Sequence, residues 1–254
     1  MKSALLFLAI VGCVTAQSLF SSTGQTGIVN VHNVLRSKIA KGTYNAAGTI
    51  EPAAANMRKM IWDASLATSA QNYVNGCPDD HSGTSGVGEN MYWSWSSQAP
   101  PSNLDSFGVS ASNSWEKEFQ DYGWTSIVLD MATFNTGIGH ATQMAWANTN
   151  LVGCGVKNCG KDSTMGNMYK VEVVCQYKSQ GNILNTNIYQ KGNSCSACAS
   201  GSTCETKSEV PSGLDALKKA RMERSLEELK DLIEEVDFSE EEYQEDSDSS
   251  LIFD

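Results

Sequence analysis

Seven cysteines behind an export signal constrain this chain more than any other feature of its sequence. Lys2 supplies a positive start, Ala4 to Val11 form an apolar run, and Val14-Thr15-Ala16 provide a small-residue cleavage site. That run is shorter than the roughly 20 apolar residues a membrane-spanning helix needs. No later stretch is long enough, so no transmembrane segment is expected. The reading is a secreted, extracellular protein with a signal peptide at residues 1–16 and a mature chain beginning near Gln17. Cys13 leaves with the signal. Cys77, Cys154, Cys159, Cys175, Cys195, Cys198 and Cys204 remain. Exported chains keep most cysteines as disulfides. Seven is odd, so one thiol is left over or pairs with a second chain.

Charge separates the chain into two regions. The net charge of −11 is carried entirely by residues 205–254, which hold 17 acidic and 6 basic residues, whereas the preceding part has 12 of each. The folded part is therefore near neutral, and nothing in it argues for nucleic acid. In the tail, Leu214, Leu217, Leu226, Leu229, Ile233 and Val236 allow a helix over 213–236, with Ser225 to Glu228 as a capping box. Residues 237–254 carry eight acidic residues and no basic one, which reads as disorder. Such a tail either solubilises the chain or contacts cations or a basic partner.

Between signal and tail, helices and strands mix without βαβ alternation, which favours α+β. Ile28, Val31, Leu35 and Ile39 predict a helix over 26–41. Asp63 is the expected N-cap of a second helix that buries Leu66, Ala70, Tyr73 and Val74 and ends at Gly76. A Gly- and Ser-rich loop follows, then a strand over 89–95. Phe107, Ala111, Trp115, Phe119 and Tyr122 mark an amphipathic helix, and residues 139–148 a short one. Strands are expected at 151–157 and 168–178, with Val171, Val173 and Cys175 on one face. Residues 183–204 read as a small cysteine-stapled extension, with Cys195-Ser-Ala-Cys198 structural rather than redox-active.

Few residues here can do chemistry. His81 follows Cys77-Pro-Asp-Asp, and His140 lies in Gly139-His-Ala-Thr-Gln-Met-Ala-Trp146. Glu89 sits at a loop-to-strand junction, and Glu118 shares a helix face with Trp115. Spacing alone does not join these four. His32 lies in the apolar stripe of the first helix and reads as a core histidine. There is no Gly-X-Ser-X-Gly elbow and no His-Glu-X-X-His. Met91 to Trp95 offer aromatic groups that either meet an apolar ligand or belong to the core.

Four segments, in this order, resemble the signatures of the CAP (SCP-like) superfamily. They are His32-Asn-Val-Leu-Arg36, His81 with Gly88-Glu-Asn-Met-Tyr92 after it, Gly139 to Trp146, and Cys175-Gln-Tyr followed by Gly181-Asn182. The resemblance covers about residues 24–204. It is most like the venom-allergen-like and activation-associated secreted proteins of nematodes. It implies a three-layer αβα sandwich with a central antiparallel sheet. The CAP domain would span 17–182, with a hinge-like extension at 183–204. It also implies a cleft tetrad of His81, Glu89, Glu118 and His140, with the two histidines able to hold a divalent cation such as zinc. No cofactor is required. Disulfides Cys77–Cys154 and Cys159–Cys175 follow from the family pattern, leaving one free thiol among Cys195, Cys198 and Cys204. The implied role is a non-enzymatic one: binding of sterol or fatty acid, or contact with an extracellular or host protein, including immunomodulation. A metal-dependent hydrolase acting through the tetrad is the alternative. The chain should be mostly monomeric, with a disulfide-linked dimer open to it through the spare cysteine.

Overall fold

The structure is a computed structural model that describes residues 18–205. The signal peptide expected at 1–16 and the acidic stretch beyond Glu205 lie outside the described residues, as do the helix expected over 213–236 and the disorder expected over 237–254.

Among the described residues there are five α-helices: α1 (Ser22–Ala40), α2 (Ala64–Val74), α3 (Asp105–Asp121), α4 (Met131–Phe134) and α5 (Gly139–Ala145). Eight strands accompany them: β1 (Asn45–Ala46), β2 (Thr49–Ile50), β3 (Ile61–Trp62), β4 (Gly88–Ser96), β5 (Val128–Leu129), β6 (Leu151–Asp162), β7 (Met168–Lys178) and β8 (Thr186–Asn187). The main sheet has the order β3-β6-β7-β4. Its long strands are antiparallel, while the two-residue edge strand β3 runs parallel to β6, a departure from a wholly antiparallel sheet. The fold is a mixed α+β sandwich. The α2 layer packs Ala70 and Val74 against Met91 and Val174 on one face. The layer of α1, α3 and α5 packs the larger core on the other, with Val171, Val173, Cys175 and Tyr177 turned toward it.

Local chemistry explains the helix ends. Asp63 accepts from the Leu66 amide and caps α2, as its position in the sequence predicts. Helix α1 begins four residues earlier than periodicity alone suggests, because Ser21 caps it by accepting from Gly24 N. Asp105 in turn holds the Ser21 amide at 2.9 Å, tying the starts of α1 and α3 together. Helix α2 lies directly on β6 because two glycines clear the way. A Cβ at Gly153 would sit 2.1 Å from Ala67 N, and one at Gly155 would sit 2.5 Å from the Gln71 Cα.

The pleat corrects the disulfide pairing implied by resemblance. The bonds are Cys77–Cys159 and Cys154–Cys175, not Cys77–Cys154 and Cys159–Cys175. Cys154 and Cys175 are direct partners across the β6–β7 ladder, with Cα atoms 4.1 Å apart, and both face the larger core. Cys77 follows α2, on the other side of the sheet. A strand sends alternate residues to opposite faces, so Cys159 reaches the α2 side while Cys154 does not. Cys195 pairs with Cys204, and Cys198 is the free cysteine among the described residues.

Motif residues on α1 carry much of the fold. His32 is fully buried. Its Nδ1 lies 2.8 Å from Ile28 O and its Nε2 lies 2.9 Å from the Tyr177 hydroxyl. Burial lowers its pKa to about 4, so it is neutral at physiological pH. Asn33 bonds both the amide and the carbonyl of Met60. Arg36, also buried, donates to five main-chain carbonyls: those of Arg58, Met144, Trp146, Ala147 and Thr149. Arg36→Met leaves these acceptors without a donor in a dry interior. Denaturant unfolding of that variant is expected to give a stability loss of at least about 3 kcal/mol. A loss below about 1 kcal/mol would mean that water replaces the guanidinium at little cost.

Candidate functional site

Of the four expected cleft residues, the structure forms two His–Glu pairs rather than one closed cluster. His81 Nδ1 lies 3.0 Å from Glu89 Oε1, and the same oxygen accepts the Ser82 amide at 2.8 Å. The other carboxylate oxygen of Glu89 accepts from Gln176 Nε2 at 3.0 Å. His140 Nδ1 lies 2.5 Å from Glu118 Oε1, and Glu118 Oε2 accepts the amides of His140 and Ala141 at 3.0 Å each. Glu118 therefore reaches from α3 to close the N-terminal end of α5. Trp115, one turn earlier on α3, stacks on the His140 ring at 6.0 Å between centroids.

Strand β4 joins the two pairs. Glu89 belongs to the first pair. The next residue, Asn90, donates to the His140 carbonyl at 3.2 Å and to the Tyr177 hydroxyl at 3.3 Å. Met91 O receives the Trp115 indole N–H at 3.0 Å. Sequence reasoning quoted Asn90, Gln176, Tyr177 and Asn182 only as parts of motifs. Each has a structural role. A chain of contacts runs from His32 through Tyr177 and Asn90 to His140, and Asn182 accepts from Thr142 Oγ1 and donates to Gly139 O. The clue lay in their position beside the candidate residues, but spacing could not say what they bond.

The environments of the pairs differ. Burial pushes the Glu89 carboxyl up, but hydrogen bonds from His81, Gln176 and Ser82 outweigh it and hold the pKa at about 2. The hydrogen bond to Glu89 raises the pKa of His81 above its ordinary value. His81 is more than half exposed, whereas Glu89 is nearly buried. His140 is about one-third exposed and Glu118 less. Both imidazoles use Nδ1 on a carboxylate, and neither Nε2 has a hydrogen-bond partner among the described residues. Of the β4 residues that could meet an apolar ligand or the core, Met91 is buried, Tyr92 and Trp93 are half-buried against the two apolar clusters, and Trp95 is exposed.

Comparison with known proteins gives the same frame. Residues 29–177 match the sequence profile described as the cysteine-rich secretory protein family, CAP. The chain belongs to that family. The Ancylostoma secreted protein of Ancylostoma caninum is 37% identical over 203 residues, covering 75% of this chain and 45% of that protein. Cysteine-rich secretory protein 3 of Equus caballus is 35% identical, covering 72% of this chain and 68% of that one. This CAP chain thus spans less than half the length of the first relative. Among solved structures, NaASP2 with Zn2+ is 34% identical at a TM-score of 0.61, covering 70% of this chain and 90% of that one. Na-ASP-1 is 32% identical at a TM-score of 0.65, covering 80% of this chain and 50% of that one. No helix among the described residues of this CAP chain is long and apolar enough to cross a membrane.

The His81–Glu89 pair has a defined pH window. A depressed carboxyl contributes stability above its unfolded value near 4.5, lost as pH falls toward 2. A raised histidine contributes stability fully present below 6.5, lost as pH rises through its folded value. A double-mutant cycle with His81→Ala and Glu89→Gln is expected to give its largest coupling between pH 4.5 and 6.5. Solvent screening at His81 keeps it to about 1 kcal/mol or less. A coupling that grows above pH 8 would contradict the pairing.

Proposed function

We propose that this CAP chain is a secreted, non-enzymatic binding protein whose cleft holds a divalent cation such as zinc on His81 and His140. The observation that carries the reading is one arrangement built twice from different elements: an imidazole with Nδ1 set by a carboxylate and Nε2 left open. A carboxylate behind a histidine fixes its tautomer and makes the outer nitrogen a better ligand. Neutral imidazole suits zinc, and the similar NaASP2 has a solved structure with Zn2+. A bound cation would supply a fixed positive charge for an anionic or carbonyl group of a partner. Glu89 and Glu118 position the rings.

The partner class follows from the rim. Phe134 lies against Gly139, beside His140, and Tyr122 lies against Gly137. Both are exposed, as is Met131. Next to a polar cleft, such side chains suit an extracellular protein or the apolar body of a lipid or sterol. Cys198 offers a separate route to a covalent dimer.

Zinc titration by calorimetry tests the cation reading. The full mature chain is expected to bind one zinc at pH 7.5, and affinity should drop at least about ten-fold in a His81→Ala/His140→Ala variant. It should also weaken as pH falls and His81 takes up its proton. Equal affinity in wild type and double variant would remove the cleft as the site. Chelator-sensitive ester or peptide hydrolysis lost in the same variant would replace this reading with the hydrolase.

A further inference from the structure

Outside the cleft, one buried acid has no assigned role. Glu172 is on the α2-facing side of β7 and is fully buried, and its Oε1 has no hydrogen-bond partner. Its Oε2 lies 3.4 Å from Lys170 Nζ and 3.9 Å from Cys159 Sγ. Among the described residues, Cys77, Cys159 and Glu172 are the one group of three metal-type donor atoms within 4.8 Å of one another. Its two sulfurs are joined to each other in a disulfide. A buried carboxyl oxygen without a partner is costly, and orphaned buried polar groups call for an explanation. What it faces here is a disulfide sulfur.

The bond beside it is also reachable. Cys77 and Cys159 are half-buried, whereas Cys154 and Cys175 are completely enclosed. When a thiolate attacks a disulfide, the departing sulfur must carry negative charge or receive a proton. A thiolate leaving beside a carboxylate is repelled by it, but a protonated carboxyl at that distance supplies the proton instead.

We propose that Cys77–Cys159 is a thiol–disulfide exchange site for dithiol substrates, with Glu172 as the proton donor to Cys159. In the first step a thiolate of the dithiol attacks Cys77 Sγ and forms a mixed disulfide. The Cys77–Cys159 bond breaks, and Cys159 Sγ leaves with the electron pair and takes the proton of Glu172. Lys170 then faces the new carboxylate. In the second step the other thiolate of the substrate attacks its own mixed-disulfide sulfur and closes a cyclic disulfide. Cys77 departs and takes a proton from solvent, and Glu172 recovers its own from solvent. The substrate loses two electrons and the protein gains two thiols. Run backwards, the same steps oxidise the pair. Because Cys77 opens the loop that carries His81, exchange frees one end of that loop.

Several charged or titratable groups surround Glu172. Lys170 is on its own strand and bridges to Asp79 in the loop after α2, with Nζ 3.1 Å from Oδ1. Lys157 is its partner across the ladder on β6. Tyr73 on α2 feels its charge, and Trp93 is its partner across the ladder on β4. Burial dominates and raises the carboxyl to about 7, Lys170 and Trp93 opposing and Asp79 assisting. The acid is thus available as a donor near neutral pH.

The test uses the oxidised full mature chain with dithiothreitol as the dithiol, quenched by alkylation at intervals, each cysteine being read by peptide mass spectrometry from pH 5 to 9. Cys77 and Cys159 are expected to label well before Cys154 and Cys175. Normalised to dithiol thiolate, their rate should fall as pH rises through about 7. Glu172→Gln, close in shape, should slow it at least about ten-fold at pH 6 and flatten that profile. Opening of Cys195–Cys204 should not change. Lys170→Met removes the stabilising cation and should move the fall to higher pH. That variant decides the matter if Glu172→Gln does not fold by circular dichroism. Equal normalised rates and profiles in wild type and Glu172→Gln would overturn the proposal. So would an unmoved profile in Lys170→Met, or opening of Cys154–Cys175 as fast as Cys77–Cys159.

Discussion

A seven-residue helix is held at both ends by opposite charges, and the candidate site depends on that grip. Helix α5 is too short to be stable alone, because helix nucleation is costly and few bonds follow it. Glu118 accepts two amides at its N-terminal end, and Arg36 donates to carbonyls at and beyond its C-terminal end. Each charge has the sign that complements the helix dipole. His140 sits on the first turn of this clamped element, so its ring is placed by three helices at once. The guanidinium also holds Arg58 O, so the connection before β3 shares the same anchor.

The sheet sorts the rest. Its two faces lead to different chemistry because alternate residues of β7 go to opposite layers. One face carries Val171, Val173, Cys175 and Tyr177 into the larger core, where Tyr177 links His32 to Asn90. The other carries Lys170, Glu172 and Gln176 beneath α2 and its following loop. Gln176 supports Glu89, and Glu172 faces the outer disulfide. Gly153 and Gly155 let α2 lie directly on this side of the sheet. The four signature segments are therefore one hydrogen-bonded assembly spread over both faces of a single sheet.

Much of this was legible in the residues. The stripe of Ile28, Leu35 and Ile39 places α1, Asp63 starts α2, and the alternation of Val171, Val173 and Cys175 gives β7 its core face. The buried, neutral state of His32 follows from its place in that stripe. Other features were not legible. Two-residue strands such as β1, β3 and β8 are too short for any period. The polarity of β3 depends on which neighbour it meets. The aromatics of β4 read equally as surface or core, and packing left Tyr92 and Trp93 half-buried against the two apolar clusters and Trp95 exposed. The pairing of the cysteines turned on which face of β6 each side chain takes, and the register with β7 decides that.

By itself, the sequence determined which residue types are available: eight cysteines, three histidines, a stretch before residue 205 with balanced charge and an acidic stretch after it. Local periodicity and capping also determined where the main helices and strands run, because those depend on neighbours within a few residues. Only the tertiary structure decided who bonds whom. His81 meets Glu89, and His140 meets Glu118, 22 residues earlier. Cys77 meets Cys159, 82 residues later. Such contacts are set by layer packing and strand register, which bring distant parts of the chain to one place and which no local pattern encodes.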